Sequence, residues 1–312
     1  MKFFKRLSEI DPSYYQPCDK KGQVERLDYL TTNYDGRTMS KHAYVYTPYG
    51  YDASKAYDIL YLVHGGGETA EKYLYQGGDE NPLRRAIDHM LEKGEIRPLI
   101  IVTPCEYPDN EVQDINLPFY LYVSVWHKEL VNDLIPEVEK KYHTYAGLKT
   151  DPESLKKARD HRTLAGWSLG AVTSWFVFEK QLAYFHDFGF LSADCSNPFG
   201  ESPISVSADG SFIQEEKNKV WADASAQFIV KRVKEQGFER KDFNIFAATG
   251  TLDIAYEGLS MLMSALLAYP DTFEFYDEKS QNIAFLTWAK GEHHTKWRLQ
   301  YTINAIKQFY SK

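Results

Sequence analysis

Residues 162–182 read RTLAGWSLGAVTSWFVFEKQL, and the fold turns on how they are parsed. A short apolar run ends in Gly-Trp-Ser-Leu-Gly (166–170), and a stretch of helical character begins at Leu169. A serine flanked by glycines at a strand-to-helix junction is the context in which G-x-S-x-G carries chemistry. The turn has to be so tight that the serine backbone is strained. Strand and helix can then close on each other only if Gly166 and Gly170 have no side chains. The arrangement lifts the Ser168 hydroxyl above the strand end and sets it at the N-terminus of the next helix, where free N–H groups favour developing negative charge. The same pentapeptide in an ordinary βα turn would do nothing, so the case needs partners elsewhere in the chain.

Working outward, the same rhythm of compact apolar run, turn and helical pattern recurs. DILYLVHG (58–65), PLIIVTP (98–104), DFGFLSAD (187–194), FNIFAATG (243–250) and IAFLTWAKG (283–291) read as further strands covered on both faces. QVERLDYLTT (23–32) and KHAYVYTP (41–48) alternate, with the turn signal NYDGRT between them, and predict an antiparallel pair. Helical spacing marks 81–94, 126–142, 169–182, 256–269 and 295–310. The alternation predicts an α/β fold with an eight-stranded, mostly parallel sheet flanked by helices. Polar 143–161 and the long 195–238 interrupt it as insertions. The second has no obvious strand, turns helical from Gln214, and raises the question of a lid. A single domain over 1–312 is the expectation. In such sheets ligands lie at the carboxyl ends of the strands.

Composition excludes more than it identifies. The 312 residues are 43% hydrophobic and 26% charged with a net charge of −8, acids and bases interleaved. That argues against a nucleic-acid partner. The chain has 3 cysteines, an odd count that gives no disulfide framework and no zinc pattern and suits a reducing compartment. The first residues lack the apolar stretch of roughly 7–15 residues that a secretory signal needs, and no run approaches the about 20 of a membrane span. A cytoplasmic protein, or one whose signal has been removed, is expected. Oligomeric state is not readable.

A serine becomes a nucleophile when a histidine takes its proton and a carboxylate steadies that histidine. With the order Ser–acid–His expected for this fold, the base is His293 or His294 in AKGEHHTKW (289–297), after the last strand and before the last helix. His186 follows the serine helix too closely. Two adjacent histidines could also bind metal, but no third ligand stands at suitable spacing. For the acid, Asp253 in ATGTLDIAYEG (248–258) is preferred, and Asp194 one strand earlier is the rival. In YLVHGGGET (61–69), Gly66 or Gly67 offers a backbone donor for an oxyanion, with the Leu169 N–H as the second. His64 reads as structural. Trp126, Trp167, Phe199 and Tyr256 are candidate substrate contacts, since aromatic faces can hold a phenolic ring.

Taken together, YLVHGGGE, AGWSLGAVTSW, FAATGTLDIAY and KGEHHTKW resemble the family 1 carbohydrate esterases, the feruloyl and acetyl-xylan esterases, over roughly residues 20–311. The resemblance implies an α/β-hydrolase fold and a serine esterase that works through an acyl-enzyme without metal or organic cofactor. The expected substrates are acylated xylan-derived oligosaccharides, with feruloyl preferred over acetyl. It matches Ser168 as nucleophile, Asp253 as acid and, three positions after Gly291, His294 as base. Leu169 and Ala171 replace the family's usual Met and Gly after the serine, which a backbone donor tolerates. Thr295 stands where the family usually has an aromatic residue. Two alternatives remain. A siderophore-ester hydrolase would show basic residues at the pocket, for which Arg162, Lys290 and Lys296 are the candidates. A carbohydrate-binding protein on the same fold would need no working serine.

Overall fold

The computed structural model describes residues 3–33, 35–108, 119–195, 204–206, 212–214, 219–276 and 282–312. Eight strands form one sheet in the order β1-β2-β4-β3-β5-β6-β9-β10. They are β1 (Gln23–Thr32), β2 (Thr38–Thr47), β3 (Asp58–Val63), β4 (Leu99–Thr103), β5 (Arg162–Trp167), β6 (Asp187–Leu191), β9 (Asn244–Gly250) and β10 (Ile283–Trp288). β2 is antiparallel to both β1 and β4, and every other pairing in this sheet is parallel. All eight are the strands expected from the sequence, with ends shifted by a few residues.

The apolar runs are continuous because each strand feeds two cores. In β3, Ile59, Tyr61 and Val63 enter one core while Leu60 and Leu62 enter the other. The first core also takes Trp175 from α6 (Leu169–Gln181), Ile229 from α7 (Lys219–Glu235) and Leu259 from α8 (Tyr256–Leu266). The second takes Met90 from α2 (Pro82–Glu92) and Phe309 from α9 (Thr295–Tyr310). Helices thus cover both faces of the sheet.

Two readings need correction. The 126–142 pattern is not one regular helix. α3 (Phe119–Glu129) passes through a π-helical turn at Leu130–Leu134 into α4 (Ile135–Lys141). The 195–238 insertion does contain strands, a short antiparallel hairpin of β7 (Ile204–Val206) and β8 (Phe212–Gln214). Its remaining part up to 218, with Phe199, lies outside the described residues, as does any lid there. The 143–161 insertion holds one short helix, α5 (Pro152–Lys157), capped by the Asp151 side chain.

Candidate active site

Ser168 closes β5 and opens α6 with φ 55° and ψ −122°, a left-handed backbone that only a forced turn gives a non-glycine residue. Its N–H donates to the Leu191 carbonyl at 2.8 Å, which anchors the turn to the neighbouring strand. The flanking glycines are sterically obligatory. A Cβ on Gly166 would stand 2.1 Å from the Gly170 carbonyl oxygen, and one on Gly170 would stand 2.4 Å from the His64 carbonyl oxygen. Leu169 is the first residue of α6, so its N–H has no intrahelical acceptor.

The histidine facing Ser168 is His293. Its Nε2 lies 2.8 Å from Ser168 Oγ and its Nδ1 2.9 Å from Asp253 Oδ1. A carboxylate only accepts, so Nδ1 carries the proton and Nε2 accepts from the serine hydroxyl. This corrects the choice of His294. That residue is exposed and sits at the N-cap of α9, its Nδ1 accepting from the Lys296 N–H at 3.2 Å. The physical reason is helix geometry. A residue immediately before the first helical position turns its side chain back to the orphan N–H groups of that helix. The residue one earlier stays on the loop and faces the cleft. The helix start at Thr295 was legible in the sequence and would have separated the two.

Asp253 is buried and held by its own loop, with Oδ1 also accepting from the Ala255 N–H at 2.9 Å. Asp194, the rival acid, is buried on the loop after β6, and the carboxylate on His293 Nδ1 is that of Asp253. The loops after β9 and β10 are tied together. Leu252 N–H donates to the Gly291 carbonyl at 2.9 Å, and Thr251 N–H to the Trp288 carbonyl at 3.0 Å. A Cβ on Gly250 would collide with the Gly291 carbonyl at 2.2 Å, so these loops touch through bare backbone. That contact fixes acid and base relative to each other.

In the glycine run, Gly65 N–H donates to Glu68 Oε2 at 3.1 Å, and the Tyr107 hydroxyl donates to the Glu68 carbonyl. The Gly65 carbonyl accepts from His64 Nδ1 and the Glu68 N–H, so the Gly66 N–H of the same peptide points the opposite way, and a Cβ at Gly66 would lie 3.5 Å from the Leu169 side chain. Of the two glycines expected as donors, Gly66 is the one whose peptide is fixed, through the Gly65 carbonyl. Burial among charged groups pushes the Tyr107 phenol well up, so it stays a neutral hydroxyl.

Trp167 lies under the site. Its ring stacks on His293, with centroids 4.6 Å apart and 22° between planes. Behind it the Arg298 guanidinium stands 5.6 Å from the Trp167 ring centroid and pairs with Glu68. Neither Glu68 nor Arg298 was singled out from sequence, because an acid on a turn and a base on a helix are common. Trp126 is corrected. It is 1% exposed, inside the first core, its indole N–H donating to Glu129 at 3.1 Å. Tyr256 is half-buried at the start of α8, just beyond the Asp253 loop. The flanks of Asp253 carry two exposed apolar side chains the sequence reading passed over, Leu252 at 61% and Ile254 at 65%.

Arg162 is not at the site. It lies at the other end of β5, buried against Glu139, while Lys290 and Lys296 are exposed on the base loop and α9. Among the described residues, two clusters have metal-ligand chemistry, Cys18–His89–Glu92 and His64–Cys105–Glu106, and neither includes His293 or His294. No described helix is long and apolar enough to cross a membrane.

This sheet, with a serine on a strained turn and a histidine and aspartate on the loops after the last two strands, defines the α/β-hydrolase class. Within it the chain belongs to the Esterase family, whose model matches residues 37–297. It is 30% identical to the endo-1,4-beta-xylanase Y of Acetivibrio thermocellus over 298 residues, which are 96% of this chain and 24% of that protein. The feruloyl esterase module of Clostridium thermocellum, solved as a serine-to-alanine mutant with sinapinate, is 27% identical with a TM-score of 0.76. The match covers 99% of this chain and 95% of that one. The family 1 ferulic acid esterase of Anaeromyces mucronatus, solved with ferulic acid, shares the fold at 17% identity and a TM-score of 0.66, covering 95% and 94% of the two chains. The chain spans about a quarter or less of the curated relatives it matches, 24% of one and 20% of another. The expected likeness to the family 1 carbohydrate esterases stands.

Proposed function

We propose that this esterase hydrolyses feruloyl esters on xylan-derived oligosaccharides through an acyl-enzyme on Ser168. One observation carries the assignment of roles: a single imidazole, His293, bridges Ser168 Oγ and Asp253 Oδ1 at 2.8 and 2.9 Å. His293 takes the serine proton as Oγ attacks the ester carbonyl and returns it to the departing sugar alcohol. Asp253 holds the ring in the tautomer that accepts at Nε2 and stabilises the imidazolium that forms. The Gly66 and Leu169 N–H groups receive the oxyanion, assisted by the N-terminus of α6. Water, activated by the same histidine, then releases ferulate. Nothing in these steps calls for a metal or organic cofactor.

The feruloyl preference draws on the likeness to the sinapinate-bound module and on the apolar rim of Leu252, Ile254 and Tyr256 beside the acid loop. The siderophore alternative loses ground because Arg162 lies at the opposite end of β5. The three cysteines are buried thiols outside any disulfide, which supports the expected reducing, cytoplasmic setting. We read 1–312 as one esterase domain. The test is a rate comparison of methyl ferulate, acetylated xylo-oligosaccharide and p-nitrophenyl acetate. The expected order in kcat/KM puts methyl ferulate first. A preference for acetylated oligosaccharide would move the assignment to acetyl esters, and no turnover of any of the three would leave the carbohydrate-binding reading.

A further inference from the structure

We propose that His64, held by Glu106, is a positioning residue that aims the oxyanion donor of the site. The proposal rests on the reading of Gly66 as that donor.

The argument starts from peptide geometry. The Gly65 carbonyl and the Gly66 N–H belong to one planar trans unit and point in opposite directions. Fixing the carbonyl therefore fixes the N–H. The Gly65 carbonyl accepts from His64 Nδ1 at 2.8 Å and from the Glu68 N–H at 3.2 Å, both on the inner side of the turn. The Gly66 N–H of the same peptide therefore points away from that inner side. A glycine run is otherwise free to flip this peptide, because no Cβ restricts it.

The histidine is itself held. Its Nε2 lies 3.4 Å from Glu106 Oε2, with both side chains 0% exposed, and neither atom has a hydrogen-bond partner. A carboxylate withdrawn from water needs a positive neighbour. Nδ1–H is committed to the Gly65 carbonyl, and Nε2 faces the Glu106 carboxylate. Glu106 is also tied to the other oxyanion arm. Thr173, one turn beyond Leu169 on α6, donates from Oγ1 to Glu106 Oε1 at 2.9 Å. One buried acid thus references the loop after β3 to the helix after Ser168. Cys105 Sγ lies in the same cluster, within 4.8 Å of the histidine and glutamate ligand atoms, so a bound zinc ion is the competing explanation for these residues.

The experiment compares His64→Asn, whose amide N–H can replace Nδ1–H, with His64→Leu, which has no donor. For methyl ferulate we expect His64→Leu to lose about 30–100-fold in kcat with KM within about twofold, up to the cost of one oxyanion donor. Affinity for a phenylboronic acid, which mimics the tetrahedral adduct, should fall in parallel while ferulate affinity holds. His64→Asn should recover most of both. If His64→Leu does not fold, Glu106→Gln and Thr173→Val carry the same test, with falls of about 5–10-fold in kcat alone. Equal losses in Asn and Leu, a rise in KM with kcat intact, or unchanged kcat in the folded variants would overturn the proposal. So would one equivalent of zinc in the purified wild-type protein. Failure of the underlying reading looks different, because Ser168→Ala would then keep its turnover whatever stands at 64.

Discussion

The two ends of strand β5 are built to opposite rules. At its start, Arg162 is 1% exposed and bound bidentately to Glu139 at 2.7 and 2.9 Å, with further donations to the Leu155 and Tyr184 carbonyls at 3.0 and 2.6 Å. Glu139 also accepts from Thr144 Oγ1 at 2.6 Å. Six residues on, Ser168 is half-buried on strained backbone, next to N–H groups left without acceptors. The first end satisfies its polar groups and fixes the strand. The second leaves donors open and a hydroxyl poised, a local disadvantage that only the rest of the sheet can hold in place.

The largest expected effect tests the open end. Ser168→Ala should lower kcat on methyl ferulate by about 10⁴–10⁶-fold with the protein still folded, read by steady-state kinetics beside circular dichroism. Next comes the histidine pair. His293→Ala should cost about 10⁴-fold in kcat, while His294→Ala should stay within a few-fold, because it removes only a helix cap. Similar losses in both would mean the cap and the base are not separable as described. Asp253→Asn should lose on the order of 10³–10⁴-fold, chiefly through the wrong imidazole tautomer.

The closed end should respond in stability instead. Arg162→Leu strands a buried Glu139 and should lower unfolding free energy by about 3–5 kcal/mol in urea titration. The enzyme that remains folded should keep kcat near wild type. A large kcat loss in folded Arg162→Leu would show that the two ends are coupled.

The smallest effect concerns pH. Glu179, buried on α6, has its carboxyl pushed up by desolvation from the ordinary 4.5 to about 7. Below pH 4.5 it is neutral folded or unfolded. As pH rises from about 4.5 to about 7 the unfolded chain ionises first, so this residue's contribution to stability is lost over that window. Glu179→Gln should therefore gain on the order of 2 kcal/mol relative to wild type at pH 8 and less toward pH 5, checked by denaturation at both values. A gain independent of pH would remove the ionisation argument.

How much of this was legible depended on the kind of signal. Strands with both faces buried announce themselves as continuous apolar runs and the β1–β2 pair as alternation, and all eight strands of the large sheet were found. The Gly-Trp-Ser-Leu-Gly turn was legible because sterics permit only glycine at 166 and 170. Asp253 could be named from its place on the loop after a strand. Trp126 could not be placed, since an aromatic residue on an amphipathic helix reads the same whether it lines a cleft or fills a core. The hairpin of β7 and β8 was missed because strands of three residues carry no periodicity.

By itself, then, the sequence determined the order of strands and helices, the serine on its turn and the loops that carry acid and base, because periodicity and small-residue sterics are local properties. Tertiary structure alone set the distances at which His293 meets Ser168 and Asp253, and it brought Glu106, Glu68 and Arg298 beneath the site. Those outcomes depend on contacts between segments far apart in the chain, which spacing does not encode.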